Sequence, residues 1–186
     1  MISLFLNYIR DYGIKLDSSN SVFTIVMDWI ISIVTGYNHK KYWKRRKYVV
    51  DNNKGNLLVK LFYLQYIKRI DSKRLSSFGT SLNQGAYFST PPNLPHGPNG
   101  IIVGYDAQVG SNVTILQQVT IPQGKVVIGD NVLLGAGCKI LPGVKIGNNV
   151  KVGANAVVIS DIPDNSTAVG IPARIVNKQK KLDKQL

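Results

Sequence analysis

Apolar positions along this chain obey two different rules, and the change between them falls near residue 76. Before it the spacing is helical. Val22 to Val34 is a 13-residue apolar run whose polar members Thr24, Asp28 and Ser32 fall four apart, forming one narrow stripe on a helix. Ser21 is placed to cap that helix and Gly36 to stop it. Leu57, Leu58, Leu61, Phe62, Leu64, Ile67 and Ile70 recur at three-to-four spacing with Lys60, Lys68 and Arg69 between them. That predicts a second amphipathic helix, capped by Asn56. After residue 76, short aliphatic pieces alternate with Gly, Asn and Pro. The segment Thr90–Gly100 holds prolines at 91, 92, 95 and 98, so it is expected as a constrained loop, with His96 inside it.

The second rule is a six-residue repeat. Aliphatic residues lead each hexad: Val103, Val109, Ile115 and Ile121, then Ile128, Leu134, Ile140, Ile146, Val152 and Val158. A second small or aliphatic residue follows four later, at Ala107, Val113, Val119, Val132, Cys138, Val144, Val150, Ala156 and Ile162. Neither a 3.6-residue helix nor a simple alternating strand generates this pattern. A triangular β-solenoid does. Each hexad supplies one short strand and a corner, and three hexads close a coil, so residues 18 apart stack at about 4.8 Å. Degenerate coils are expected between Phe78 and Gly100. Ile121 and Ile128 are seven apart, so one residue is inserted around Pro122–Lys125; such an insertion bulges outward and leaves the stack intact. The expected fold is mainly β, with residues 1–75 a small helical N-terminal region, 76–176 the solenoid domain and 177–186 a basic C-terminal tail.

Charge and composition narrow the chemistry. Lys and Arg number 23 against 10 acidic residues, all of them Asp. Fourteen of the cations lie in residues 1–75, densest over Lys40–Lys47. Such a run suits an anionic surface or a solvated helix face. Without a helix-turn-helix, zinc-finger or RNA-binding signature, nucleic acid is not the expected partner. The apolar run Val22–Val34 falls short of the roughly 18 residues of a membrane span. One cysteine excludes a disulfide scaffold and a cysteine-ligated zinc site, and two histidines, His39 and His96, exclude a three-histidine metal centre in one chain. No metal is expected. Cys138 sits at the small inward position of its hexad and reads as a packed residue.

From His96 to Val176 the chain resembles the left-handed β-helix of hexapeptide-repeat acyltransferases. The likeness is to their serine acetyltransferase-like branch, closest to the O-acetyltransferases of capsular and surface polysaccharides. It rests on His96-Gly97-Pro98-Asn99-Gly100-Ile101-Ile102-Val103-Gly104, on Val113 to Ile121, on Leu134-Gly135-Ala136-Gly137-Cys138-Lys139-Ile140-Leu141, and on the ending Ala168 to Val176. The resemblance implies a left-handed, homotrimeric enzyme using acetyl-CoA in the groove between neighbouring prisms, with His96 as general base in direct transfer. It also implies coenzyme A contacts from Gly135, Ala136, Ala154, Ser160 and Arg174, the last offering a guanidinium to phosphates. Ala154 lies one full coil beyond Ala136, so the two should stack. Lys139, Lys145 and Lys151 fall on successive faces and read as solubilising.

The sequence departs from the serine acetyltransferase pattern in two places. That branch carries a long loop with a second histidine and an arginine where this chain inserts one residue near Pro122. It also has an acidic residue before the catalytic histidine, where this chain has Pro95. Both absences point to a sugar hydroxyl as acceptor, with Asn99, Gln117 and Gln118 as neutral candidate contacts. The expected activity is therefore acetyl-CoA-dependent O-acetylation of a capsular or surface carbohydrate or its precursor. Serine O-acetylation is the alternative, and a non-catalytic β-solenoid scaffold or binding module is the second alternative. The expected location is cytoplasmic, with peripheral contact at the inner face of an anionic membrane.

Overall fold

The computed structural model describes residues 36–53 and 55–176. The helix expected over Val22–Val34 and the tail from 177 onward lie outside the described residues. Residues 36–44 fall to one compact unit and 45–176 to another.

Helix α1 (His39–Val50) starts at Asn38, whose Oδ1 accepts from the Lys41 N–H at 3.0 Å. Near its start the Tyr37 hydroxyl pairs with His39 Nδ1 at 2.9 Å, and burial lowers the His39 pKa. The basic run on this helix is not a uniformly solvated face. Arg46 is only 3% exposed and donates to Thr80 Oγ1 at 2.9 Å and to the carbonyls of Phe78 and Ala86 at 2.9 and 2.7 Å.

Helix α2 (Leu57–Lys73) opens on Asn56, whose side chain accepts from the Leu58 N–H at 2.8 Å, as its sequence predicts. Its apolar stripe does not behave as the spacing suggests. Ile67 and Ile70 are buried, but Leu57, Leu58, Leu61 and Phe62 are exposed, while Lys60 among them is buried. The Lys60 ammonium donates to the Asp51 carbonyl and to Asn83 Oδ1, the latter at 2.6 Å. A hydrogen-bonded cation, rather than a leucine, therefore ties the first turn of α2 to the end of α1 and to the loop at Asn83.

The rest is a parallel β-solenoid of three faces. The first face stacks Ser77–Phe78, Ile102–Val103, Thr120–Ile121, Lys139–Ile140 and Val157–Val158. The second stacks Tyr87–Phe88, Gln108–Val109, Val127–Ile128 and Lys145–Ile146. The third stacks Thr114–Ile115, Leu133–Leu134, Lys151–Val152 and Thr167–Val169, and is closed by the antiparallel strand Arg174–Ile175. Val103 pairs with Ile121, Ile128 with Ile146, Leu134 with Val152 and Ile140 with Val158, each one regular coil further along the chain. Burial alternates within every strand from Ile102 to Val158, with the leading aliphatic inward and at most 2% exposed. The residue two before each leader is also buried, as at Val113, Val119, Cys138 and Ala156.

The degenerate first coil is present. Phe78 is in register with Val103, Phe88 with Val109, and Asn93 bridges Thr114, which sets Leu94 level with Ile115. The one-residue insertion shows in the pairing of Val109 with Ile128, one position further on than a regular coil would give. Its corner is held by Asp106, whose Oδ2 accepts from the N–H groups of Gly124 and Lys125 at 2.9 and 3.0 Å, and these bonds hold its carboxyl below the usual range. One hexad differs from the reading of the sequence. Ile162 does not fill a small corner position but bridges Ile146 in the leading position, so the last coil is shorter than a regular one.

The edge between the second and third faces keeps the same hexad step at every level, from Phe88–Leu94 to Ile162–Ala168. Asn112, Asn131, Asn149 and Asn165 occupy it, all left-handed with φ between 54° and 57°. The first three side-chain amides each donate to the next side-chain carbonyl oxygen, at 2.8, 3.2 and 3.0 Å. Asparagine suits this place because it tolerates the left-handed region and supplies both donor and acceptor. Asn149→Ala loses two ladder bonds and places an unassisted Cβ in that region, which should cost about 2 kcal/mol and lower Tm by roughly 4–8 °C. Asn149→Gly should lose about half as much. Thermal melts in which alanine equals wild type would remove the ladder from the account.

Candidate active site along one edge

The edge from the third face to the first carries most of the residues singled out by the sequence. Its backbone forms a column of hydrogen bonds. Gly100 N–H donates to Arg74 O, Gln118 N–H to Asn99 O, Gly137 N–H to Gln117 O and Asn155 N–H to Ala136 O, at 2.8–3.0 Å. The donors are left-handed at each level, with φ of 67°, 62°, 72° and 55°, and Leu75 extends the series upward at 50°. The residues before them therefore stand in one file: Arg74, Asn99, Gln117, Ala136 and Ala154. The upper three are polar and the lower two are alanine. A single groove edge thus changes from hydrogen-bonding side chains to bare backbone partway down.

This edge departs from the hexad rule once. The step from Leu94 to Val103 is half as long again as the regular step from Ile115 to Ile121, and the extra length falls in the turn Pro95–Gly100 that presents His96. The turn is held through its backbone. Gly97 N–H donates to Leu94 O at 2.9 Å, and Asn99 Nδ2 donates to the His96 carbonyl at 2.8 Å. Asn99 Oδ1 in turn accepts from Arg74 Nη1 at 3.2 Å. His96 is exposed, and its ring makes no hydrogen bond among the described residues. The loop, rather than a partner at the ring, positions the imidazole.

The other expected residues divide by place. Gly135, Ala136 and Ala154 are together on this edge, and Ala136 and Ala154 are adjacent levels as their spacing predicts. A Cβ on Gly135 would stand 2.6 Å from Ala154 N, so that level requires glycine. Gln117 and Gln118 are on the same edge, near Asn99 and Gly100. Ser160 is not with them, because it follows Val158 and precedes Ile162, at the corner between the first and second faces. Arg174 is exposed on the terminal strand, where its Nη1 donates to the Ala173 carbonyl at 3.3 Å. All three periodic lysines are exposed, and Lys139 also donates to Gln118 O and Thr120 Oγ1 at 3.0 and 3.1 Å. Lys139 therefore braces the Gln118 corner.

Arg74 and Leu75 were not legible as members of this edge. They precede Asn99 and Gly100 by well over one regular coil, and α2 runs directly into them, so the hexad count gives no sign of them.

Cys138 is fully buried and free, and desolvation pushes its thiol up to about 12. Ellman's reagent should leave the native protein unlabelled over a period in which the denatured chain reacts fully. Complete labelling of folded protein would contradict this packing.

Residues 125–160 match the family model described as bacterial transferase hexapeptide (six repeats). No curated protein matches the chain by sequence at a significant level. Among solved structures, a serine acetyltransferase in complex with CoA shares the fold, with 24% identity and a TM-score of 0.61 over 93% of this chain and 66% of that one. This chain thus spans slightly less than two thirds of that protein's length. Soybean serine acetyltransferase complexed with serine is 29% identical, with a TM-score of 0.55 over 93% of this chain and 67% of that one. The Neisseria gonorrhoeae serine acetyltransferase is 25% identical, with a TM-score of 0.61 over 99% of this chain and 69% of that one.

Proposed function

We propose that this chain, a hexapeptide-repeat solenoid similar to serine acetyltransferases, is an acetyl-CoA-dependent O-acetyltransferase with His96 as its base. One observation carries the reading. A loop that interrupts the repeat sets an exposed histidine at the head of an edge whose lower levels, Ala136 and Ala154, leave room for an extended thiol arm against backbone. Acetyl-CoA supplies an activated acetyl thioester. Neutral His96 takes the proton of the acceptor hydroxyl as its oxygen attacks the carbonyl carbon. Collapse of the tetrahedral adduct expels the coenzyme thiolate, which receives that proton back from the imidazolium. Backbone N–H groups would stabilise the oxyanion. Cys138, buried and protonated, takes no part. Gly135, Ala136 and Ala154 would line the arm. Arg174, on the terminal strand, would meet phosphate, and Ser160 would act only on a coenzyme that reaches the next corner. A trimer, implied by the family resemblance, would close the open side of the edge.

For the acceptor, the likeness to serine acetyltransferases, one of them complexed with serine, supports serine better than a carbohydrate. A sugar hydroxyl is the second reading, favoured by the corner at 122–125, which exceeds a regular one by a single residue. Peripheral contact with an anionic membrane belongs to that second reading. It is supported by exposed Leu57, Leu58, Leu61 and Phe62 on α2, with exposed Lys68 and Arg69 further along the same helix. No helix among the described residues is long and apolar enough to cross a membrane.

Thiol release from acetyl-CoA, measured with serine and with a panel of capsule-type oligosaccharides, tests both acceptors. Serine-dependent release establishes the first, and sugar-dependent release with none from serine establishes the second. No release from any acceptor, together with no coenzyme A binding by calorimetry, would leave a scaffold.

A further inference from the structure

Above the alanine levels the same edge opens into a groove of about 320 Å³, lined by Lys73, Arg74, Asn99, Gly100, Gln117 and Gln118 among others. Among the described residues that line it, two are cations and none is a carboxylate. Lys73 and Arg74 stand at the C-terminal end of α2, where cations also complement the helix dipole. Two further observations point beyond that role. The Arg74 guanidinium is directed by Asn99 Oδ1 at 3.2 Å, and the residue's own carbonyl accepts from Gly100 N–H at 2.9 Å, which fixes it above the groove. On the groove's lower level, Gln117 Oε1 is buried without a hydrogen-bond partner among the described residues. A buried acceptor left in that state is costly, and a ligand donor would relieve it. Asn99 joins this groove to the reacting end, because its Nδ2 donates to the His96 carbonyl.

We propose that this groove holds the acceptor by a carboxylate, taken by Lys73 and Arg74, with an N–H or O–H of the same molecule on Gln117 Oε1. Arginine suits a planar carboxylate, which it can meet with two parallel bonds. The proposal rests on the reading of His96 as the base of acetyl transfer and adds a requirement to it: the hydroxyl acetylated belongs to an acid. An amino acid and an acidic sugar both meet that requirement, so the test must separate them.

The experiment is titration calorimetry of the full chain, with coenzyme A present, comparing serine with serinamide and glucuronate with glucose. The acid of one pair should bind at least about 10-fold more tightly than its neutral counterpart, the scale of a charge-assisted hydrogen bond. Lys73→Gln with Arg74→Gln should erase that difference and leave coenzyme A affinity unchanged, while Arg74→Lys should restore part of it. The column bond from Gly100 uses the Arg74 backbone, so these substitutions leave it in place. The pair that shows the preference names the source. Acids that bind no more tightly than their neutral partners overturn the proposal, whether or not any of them is acetylated. So does a preference that survives the double substitution. Failure of the underlying reading looks different: coenzyme A does not bind, and no thiol is released.

Discussion

His96→Ala is expected to slow acetyl transfer by about 10²- to 10⁴-fold, the range a positioned general base contributes, with affinity for coenzyme A unchanged. The substitution is clean for a structural reason. His96 is exposed, its ring carries no hydrogen bond among the described residues, and its loop is fixed through Leu94 O, Asn99 Nδ2 and the His96 carbonyl. Removing the ring therefore removes chemistry and leaves the turn. Thiol release in the presence of acceptor is the readout, and a variant retaining more than about a tenth of wild-type kcat would strip His96 of the role. His39 serves as a control, since it belongs to the other compact unit and already pairs with the Tyr37 hydroxyl. His39→Gln should leave thiol release within a factor of about two.

The largest loss of stability is expected at Arg46. Arg46→Met keeps much of the side chain's length and removes a charge that donates to Thr80 Oγ1 and to two backbone carbonyls in a site 3% exposed. Hydrogen bonds to charged groups contribute about 1.5–3 kcal/mol each, and acceptors left dry cost further, so a net loss of about 3 kcal/mol is the expectation after partial relaxation. For a chain of this size that lowers Tm by roughly 6–12 °C. The guanidinium also stands 4.8 Å from the Phe88 ring centroid, where Met retains contact but loses the cation–π component. Arg46→Lys keeps the charge and loses the fork, and should fall between the two. A thermal or urea transition within about 1 kcal/mol of wild type would mean that water replaces the guanidinium without cost.

The hexad leaders were legible because inward-facing positions of a closed prism admit little except aliphatics, and every leader from Val103 to Val158 is buried. The coil-to-coil stacking, the inserted residue near Pro122 and the adjacency of Ala136 and Ala154 followed from that count alone. Where the count breaks, legibility stops. Ile162 takes a leading position too soon after Val158 because the last corner is shortened, and no periodic rule foresees a deletion. The helices were harder for a different reason. Spacing reports which residues share a face but not which face is turned inward. Lys60 and Arg46 are buried because each finds backbone carbonyls left over at loop ends, and those carbonyls are invisible until the chain is folded. Lys73 and Arg74 were hidden for another reason, since α2 runs straight into this edge and the hexad count does not reach them.

The three edges of the prism also differ in what they would let evolution or a protein engineer do. Along the asparagine edge the four lower levels are coupled, since losing an inner member, Asn131 or Asn149, breaks two ladder bonds. Between the first and second faces the step is longest from Phe78 to Phe88 and shortest from Val158 to Ile162, and the prism still closes at each level between. That edge is a natural splice point. New sequence grafted there could acquire a surface of its own while the histidine turn, on a different corner, kept its position. Diversification of such a chain would leave its record in the length of that corner and of the histidine turn, and would spare the asparagine edge.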